Sequence, residues 1–399
     1  RALNVVPMLV YSALLGSSAA DDGRGVAVDA TGAAVVVGET AGATDFPVTP
    51  GAFSTIAGGT DNGFIAKLSA TAAYLDCATF LGGTPEGDRI KCVSLAAGGD
   101  ICVAGETAAR DFPTTDGAFD TTFNGASDIF VTRLSSDCSA LVYSTFLGGT
   151  DGEGPQAMAL DARERVCLVG GTVSTDFPVS ANAYQSVKGL DATVIARLSA
   201  DGSALEYGSY LVGAGMPYGM ALDQNGRIHC VGVGSASLPL TPDAVDSTAQ
   251  FGEGFVVTMD CDAGSLDYAS FLGGSFNDLC RGIAVDARGS RYVVGTSESF
   301  DFPTTTGSFD PTLNGNYDAF VVKLIPDGSG LEWGTFLGGG GFGSDEARDL
   351  ALLSDGSVAV VGEAESPNFP VTPDAFHTVF NNHTALFISS LSADGSQLL

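Results

Sequence analysis

One phrase, Asp111-Phe112-Pro113-Thr114-Thr115-Asp116-Gly117-Ala118-Phe119, is rewritten along the whole chain, and this repetition limits the possible folds more than any other feature. Asp45-Phe46-Pro47 runs on to Gly51-Ala52-Phe53, and Asp176-Phe177-Pro178 to Asn182-Ala183-Tyr184. Asp301-Phe302-Pro303 leads to Gly307-Ser308-Phe309, and Asn368-Phe369-Pro370 to Asp374-Ala375-Phe376. A worn copy, Ser237-Leu238-Pro239, leads to Asp243-Ala244-Val245. The central apolar residues (46, 112, 177, 238, 302, 369) are spaced by 66, 65, 61, 64 and 67 positions. A repeat this regular outranks the two or three domains that 399 residues would otherwise suggest, because repeated units share a continuous core.

Each repeat reads as four short strands. The first is typified by Gly25-Val26-Ala27-Val28 and Gly282-Ile283-Ala284-Val285, and each is closed by an Asp-x-x-Gly turn such as Asp29 to Gly32 or Asp286 to Gly289. The second strand is almost entirely apolar, as in Ala34 to Gly38, Ile101 to Gly105 and Tyr292 to Gly295, a pattern expected where both sheet faces are buried. A connector of about 20 residues carries the Phe-Pro phrase. Proline keeps it out of a central ladder. The third strand is Phe64 to Leu68, Phe130 to Leu134 or Phe320 to Leu324; the fourth is Leu141 to Gly149, Leu266 to Gly274 or Leu331 to Gly339. Six such units predict an all-β, six-bladed β-propeller with four antiparallel strands per blade. The repeats fall at about 17–83, 84–149, 150–213, 214–274, 275–339 and 340–399, within a single domain spanning 1–399.

The chain stops at Asp394-Gly395-Ser396-Gln397-Leu398-Leu399, just as a fourth strand begins, while a matching strand, Leu9-Val10-Tyr11-Ser12-Ala13-Leu14-Leu15-Gly16, stands at the other end. The expectation is that residues 9–16 complete blade six and close the ring, with Tyr11 as an anchor. Phe46, Phe112, Phe177, Phe302 and Phe369 are expected to pin their connectors to the blades.

These motifs, above all Tyr143-Ser144-Thr145-Phe146-Leu147-Gly148-Gly149, Asp301-Phe302-Pro303-Thr304-Thr305 and Asp318-Ala319-Phe320-Val321-Val322-Lys323-Leu324, resemble the bacterial SBBP repeat family over essentially the whole chain. The resemblance implies a β-propeller in secreted or cell-surface bacterial proteins and brings no catalytic residues with it. The family name suggests seven blades; this sequence supplies six. Blade four departs most, with Ser237-Leu238-Pro239 for Asp-Phe-Pro and Leu211-Val212-Gly213 for Leu-Gly-Gly.

Charge excludes one class of partner. With 47 acidic against 17 basic residues the formal charge is −30, which repels a phosphate backbone, so nucleic acid is not an expected ligand. No apolar run is long enough to span a membrane. The sequence starts at Arg1 inside what reads as mature protein, so a leader is expected to have been removed or left out. The expected location is extracellular or on the cell surface.

Candidate site residues follow from the repeat register. Arg24, Lys91, Gln156, Tyr218, Arg281 and Arg348 share one position at the mouth of the expected channel, where they could hold an anionic ligand or pair with acids such as Asp22, Asp278 and Glu346. Glu39, Glu106 and Glu363 share another and are the weak candidates for a metal; no cofactor is expected, with calcium the one ion considered. His229 aligns with Cys102 and Cys167 inside strand two and reads as a core histidine; His377 and His383 lie in the sixth connector. The eight cysteines contain no CxxC, and Cys92 and Cys102, flanking one hairpin, are the candidate disulfide. Long connectors and blade-to-blade loops share one end of the blades, the default binding face. The function expected is a non-catalytic binding, adhesion or assembly scaffold with a protein or glycan partner. The alternatives are a carbohydrate-active lyase or hydrolase using that rim, and a self-assembling subunit of a surface filament or array.

Overall fold

The computed structural model describes residues 11–42, 45–84, 87–190, 192–249, 252–380 and 383–399. Blade one comprises β1 (Asp21–Val28), β2 (Ala34–Ala41), β3 (Asp61–Leu68) and β4 (Leu75–Leu81). Blade two comprises β5 (Asp88–Leu95), β6 (Ile101–Thr107), β7 (Asp128–Leu134) and β8 (Leu141–Leu147). Blade three comprises β9 (Glu153–Leu160), β10 (Val166–Thr172), β11 (Ala192–Leu198) and β12 (Leu205–Val212). Blade four comprises β13 (Met216–Leu222), β14 (Ile228–Gly234), β15 (Glu253–Asp260) and β16 (Ser265–Leu272). Blade five comprises β17 (Asp278–Val285), β18 (Arg291–Ser297), β19 (Asp318–Leu324) and β20 (Leu331–Leu337). Blade six holds β21 (Asp345–Leu352), β22 (Val358–Ala364) and β23 (Ala385–Leu391).

Strands pair in sequence order within each sheet, and the observed pairings are antiparallel. This is the fold class of a six-bladed β-propeller. The chain forms two compact units, one carrying blades one to three and the other blades four to six. No helix among the described residues is long and apolar enough to cross a membrane.

Local chemistry explains the repeated phrases. In the first turn, Asp29 Oδ1 accepts the amides of Thr31 (2.9 Å) and Ala33 (3.0 Å), while Gly32 takes φ 88°, a left-handed value that favours glycine. In the Asp-Phe-Pro phrase the acid accepts amides from the turn before strand one: Asp111 from Thr84 (2.6 Å), Asp176 from Thr150 (2.9 Å) and Asp301 from Ser275 (2.8 Å). The phenylalanine plugs the blade. Phe112 stacks on Phe130 at 4.3 Å and lies 6.0 Å from Phe146, and Phe46 and Phe302 form the same triads with Phe64 and Phe80, and with Phe320 and Phe336. Phe177 is buried against Tyr210, whose hydroxyl accepts its amide at 2.9 Å. Phe369 pairs with Phe387 at 4.6 Å.

Neighbouring blades interlock through one further pair of positions. The strand-four aromatic covers a turn of the following blade: Tyr143 over Gly202, Tyr268 over Gly328 and Trp333 over Gly395. A Cβ at those glycines would stand 2.2–2.5 Å from the ring, so only glycine fits. Tyr268 donates its hydroxyl to Gly328 O (3.0 Å) and Trp333 its indole N–H to Ala393 O (3.0 Å).

Two expectations are corrected. The disulfide joins Cys77 to Cys138, not Cys92 to Cys102, which are buried free thiols. Across the β5–β6 ladder Cys92 stands opposite Ala104 and Cys102 opposite Ser94, so the two are diagonal neighbours, further apart than a disulfide spans. Cys77 and Cys138 instead occupy the aromatic and glycine positions of the interlock, and a covalent bond replaces the ring contact.

The closing strand expected at residues 9–16 is not found among the described residues. Residues 9 and 10 lie outside the described residues, 11–16 form no strand, Tyr11 and Leu14 are exposed, and the sixth sheet has three strands. The segment lacks the two groups that lock a fourth strand. Thr145 donates its hydroxyl to Asp120 O (3.0 Å) and accepts the Asp120 amide (2.8 Å), where the N-terminal copy has Ala13. Phe146 completes a ring triad, where that copy has Leu14. At the other end Leu398 does bridge Leu391, taking the first position of a fourth strand.

Candidate functional site

The six residues aligned at this one repeat position share a structural cause. Each is the extra residue of a β-bulge in the first strand of its blade. Arg24 falls between the pairs Gly23–Gly38 and Gly25–Val37, and Lys91, Gln156, Tyr218, Arg281 and Arg348 fall in the same place in blades two to six. A bulge leaves its residue out of the ladder and re-aims the side chain. It also brings the first strand's carbonyls against the second strand, so a Cβ on Gly38, Gly105 or Gly295 would stand 1.8–2.1 Å from a carbonyl oxygen. The strand-two glycine is therefore the partner of the bulge.

The four cationic side chains among them pair with acids. In the unit of blades one to three, Arg24 meets Glu39 at 2.7 Å, Arg89 bridges Glu39 (3.4 Å) and Glu106 (3.3 Å), and Lys91 meets Glu106 at 2.8 Å. Glu39 raises the pKa of the Arg24 guanidinium by accepting its hydrogen bond. In the unit of blades four to six, Arg281 lies 4.6 Å over the Tyr218 ring and 3.8 Å from Glu346, and Arg348 pairs with Glu346 (3.0 Å) and Glu363 (3.3 Å). Within each unit this is a belt of alternating charge. Glu39, Glu106 and Glu363, the weak metal candidates, supply its acids together with Glu346. Among the described residues no group of three or more His, Cys, Asp or Glu side chains is placed to hold a metal ion. Of the acids expected to pair with the cations, Asp22 and Glu346 do; Asp278 is buried and accepts the Gly274 amide at 2.7 Å.

The end of the blades that carries the long connectors holds an open cleft of about 460 Å³ in blade six. Phe342 and Gly343, from the loop between β20 and β21, form one side; Glu365, Phe380, His383 and Thr384, from the sixth connector and its approach, form the other. Phe342 is 95% exposed, and the Thr384 hydroxyl donates to Glu365 Oε1 at 3.0 Å. Further aromatic residues, Phe276, Phe300 and Phe376, are exposed on loops at the same end. His229, by contrast, is a core residue: its Nδ1 lies 2.9 Å from Thr258 Oγ1 and 3.2 Å from Arg291 Nε, and burial pushes its pKa down.

Buried carboxylates form a third set that the motif reading missed. Asp88, Glu153, Asp278 and Asp345 open the first strands and accept amides from the preceding Gly-Gly turns, at Gly83 (2.8 Å), Gly149 (3.0 Å), Gly274 (2.7 Å) and Gly339 (2.7 Å). Asp128, Glu253 and Asp318 open third strands and are equally buried. Burial raises the pKa of Asp88, Asp128 and Asp318 to about 6. The sequence signal was present: an acid stands four to six positions after the second glycine of each of these Gly-Gly pairs.

No protein-family model and no curated protein matches the chain. Solved structures do resemble it. A protein of unknown function from Dyadobacter fermentans shares 12% identity at TM-score 0.47, covering 89% of this chain and 94% of its own. A protein of unknown function from Bacteroides caccae shares 9% at TM-score 0.41, with 83% and 87% covered. A gluconolactonase from Xanthomonas campestris shares 12% at TM-score 0.36, with 88% and 95% covered. At these identities the likeness concerns the fold alone. The chain is a β-propeller, and its charged belt, rim cleft and buried acids are described from its own residues.

Proposed function

We propose that this chain is a non-catalytic binding scaffold of the secreted or cell-surface bacterial kind, engaging a glycan-bearing surface through the long-loop end of its blades. The observation that carries this reading is the exposed Phe342 ring beside Glu365, His383 and Thr384. A sugar ring has an apolar face and a hydroxyl edge, and an aromatic surface beside hydrogen-bonding groups suits both. The repeated loop residues are engaged in holding their loops, so recognition falls to the blade-specific ones. The resemblance to SBBP repeats supports the location, as does the Cys77–Cys138 disulfide, a bond that persists in oxidising compartments.

The test is a glycan-binding panel run beside a glycan-hydrolysis and lyase screen. Saturable binding without turnover, weakened at least tenfold by Phe342→Ala, is the expected result; turnover, or binding indifferent to Phe342, contradicts it. A second reading, self-assembly, is favoured by β23, the outer strand of the sixth sheet, where Leu386 and Ile388 are exposed. Electron micrographs of purified protein distinguish polymers from single particles.

A further inference from the structure

The buried acids at two blade junctions carry more than a turn-capping role. In the unit of blades one to three, Asp128 is fully buried; its Oδ2 accepts the Asn124 amide at 2.8 Å, the Gly125 amide also faces the carboxylate, and its Oδ1 makes no hydrogen bond of full geometry. Other oxygens converge on the same place. The point where a Cβ would stand on Gly125 lies 2.9 Å from Asp128 Oδ1, 3.0 Å from Gly149 O and 2.0 Å from Asp151 O. The corresponding point on Gly148 lies 2.6 Å from Asp128 Oδ1 and 2.8 Å from Glu153 Oε2.

The unit of blades four to six repeats the arrangement. Asp318 is fully buried; its Oδ2 accepts the Asn314 amide at 2.7 Å, the Gly315 amide also faces the carboxylate, and its Oδ1 likewise makes no hydrogen bond of full geometry. The Cβ point on Gly315 lies 2.9 Å from Asp318 Oδ1 and 3.1 Å from the carbonyl oxygens of both Gly339 and Gly343. Asp345, buried at the start of β21 in the following blade, supplies the second carboxylate of this junction.

We propose that these two junctions are cation sites of the calcium class, each built from the Oδ1 carboxylate oxygen of Asp128 or Asp318 and the backbone carbonyls that face it. Two carboxylates brought together out of water without donors for every oxygen are costly, and a bound divalent cation offsets that cost. Calcium takes mixed carboxylate and carbonyl oxygens in flexible geometry, whereas magnesium demands a strict octahedron and holds its waters. Glycine at 125, 148, 315 and 338 keeps the space around the oxygens open. The chain also contains a contrasting copy. In blade one, Asn62 stands where Asp128 and Asp318 stand; its Oδ1 accepts the Gly59 amide (2.9 Å) and its Nδ2 donates to Gly59 O (3.1 Å). An amide satisfies itself there without an ion.

The experiment is equilibrium dialysis of calcium against EGTA-stripped full-length protein, with excess magnesium to suppress surface binding. Wild type should retain about two equivalents, the Asp128→Asn/Asp318→Asn variant none, and Asp327→Asn, in an exposed turn, the same number as wild type. Retention by the double variant at the wild-type level, or none by wild type, overturns the proposal. Should the double variant fail to fold, wild type alone decides: calcium, but not magnesium, should raise its melting temperature. A temperature unmoved by calcium and raised only by acid would mean that the junctions hold protons.

Discussion

Blade two and blade six are built from the same phrases and are buried very differently. On the third strand of blade two, Ile129 and Val131 are fully buried; at the same positions in blade six, Leu386 and Ile388 are 86% and 81% exposed. Phe112 sits in a triad with Phe130 and Phe146, while among the described residues Phe369 has one ring partner, Phe387. The side chains are equally apolar, so residue type does not set the difference. What blade two has is its own complete fourth strand and blade three packed beyond it. Burial on the third strand is set by the strand paired beyond it, and the sixth sheet, which has three strands among the described residues, shows what the motif does without a complete fourth.

The largest expected effect that would sharpen this contrast is loss of a ring. Phe112→Ala should cost about 3–5 kcal/mol and Phe369→Ala roughly half as much, read as shifts in the urea midpoint. Equal costs would break the contrast. Next is the covalent clamp between blades one and two, where blades five and six have instead the Trp333 ring over Gly395 and its hydrogen bond to Ala393 O. Cys77→Ser should cost about 2–4 kcal/mol, and reductant should lower the wild-type melting temperature while leaving the variant unchanged.

A comparable effect, dependent on pH, resides in Asp88. Its pKa is raised in the folded state to about 6, above the 3.8 of an unperturbed aspartate, so the folded protein binds the proton more tightly between these values. The wild type therefore gains stability from this group as pH falls from about 6 to 4, and lacks that gain at neutral pH. Asp88→Asn should remove this dependence, narrowing its advantage over wild type by on the order of 2–3 kcal/mol between pH 7 and pH 4. Parallel pH profiles for the two proteins would contradict the assignment. The smallest effect is expected in the charged belt: Arg24→Gln and Arg348→Gln, both partly exposed, should each move stability by less than about 1 kcal/mol.

Much of this was legible in the sequence. Spacing alone located the strands: the apolar runs at Ala34, Ile101 and Tyr292 fall in β2, β6 and β18, and the fourth-strand phrase at Leu141 falls on β8. The repeat register also brought Arg24, Lys91, Gln156, Tyr218, Arg281 and Arg348 to one position. It did not reveal that all six are bulge residues, because a bulge is a backbone event with no periodicity of its own; its trace is the glycine across the ladder.

The disulfide was within reach. Cys77 and Cys138 stand where other repeats place an aromatic ring and its glycine, but hairpin proximity drew attention to Cys92 and Cys102. The N-terminal strand misled for the opposite reason. Its pattern matched, and the two departures that matter, Ala13 for threonine and Leu14 for phenylalanine, carry the contacts that hold such a strand in place. The rim cleft had no motif, since Phe342, His383 and Thr384 are specific to one blade.

The most direct test of the account is amide hydrogen exchange compared between β7 and β23 in the native protein. If the paired fourth strand sets burial, β7 amides should exchange only at the rate of global unfolding, while β23 amides exchange far sooner through local opening. Equal protection of the two strands would contradict it.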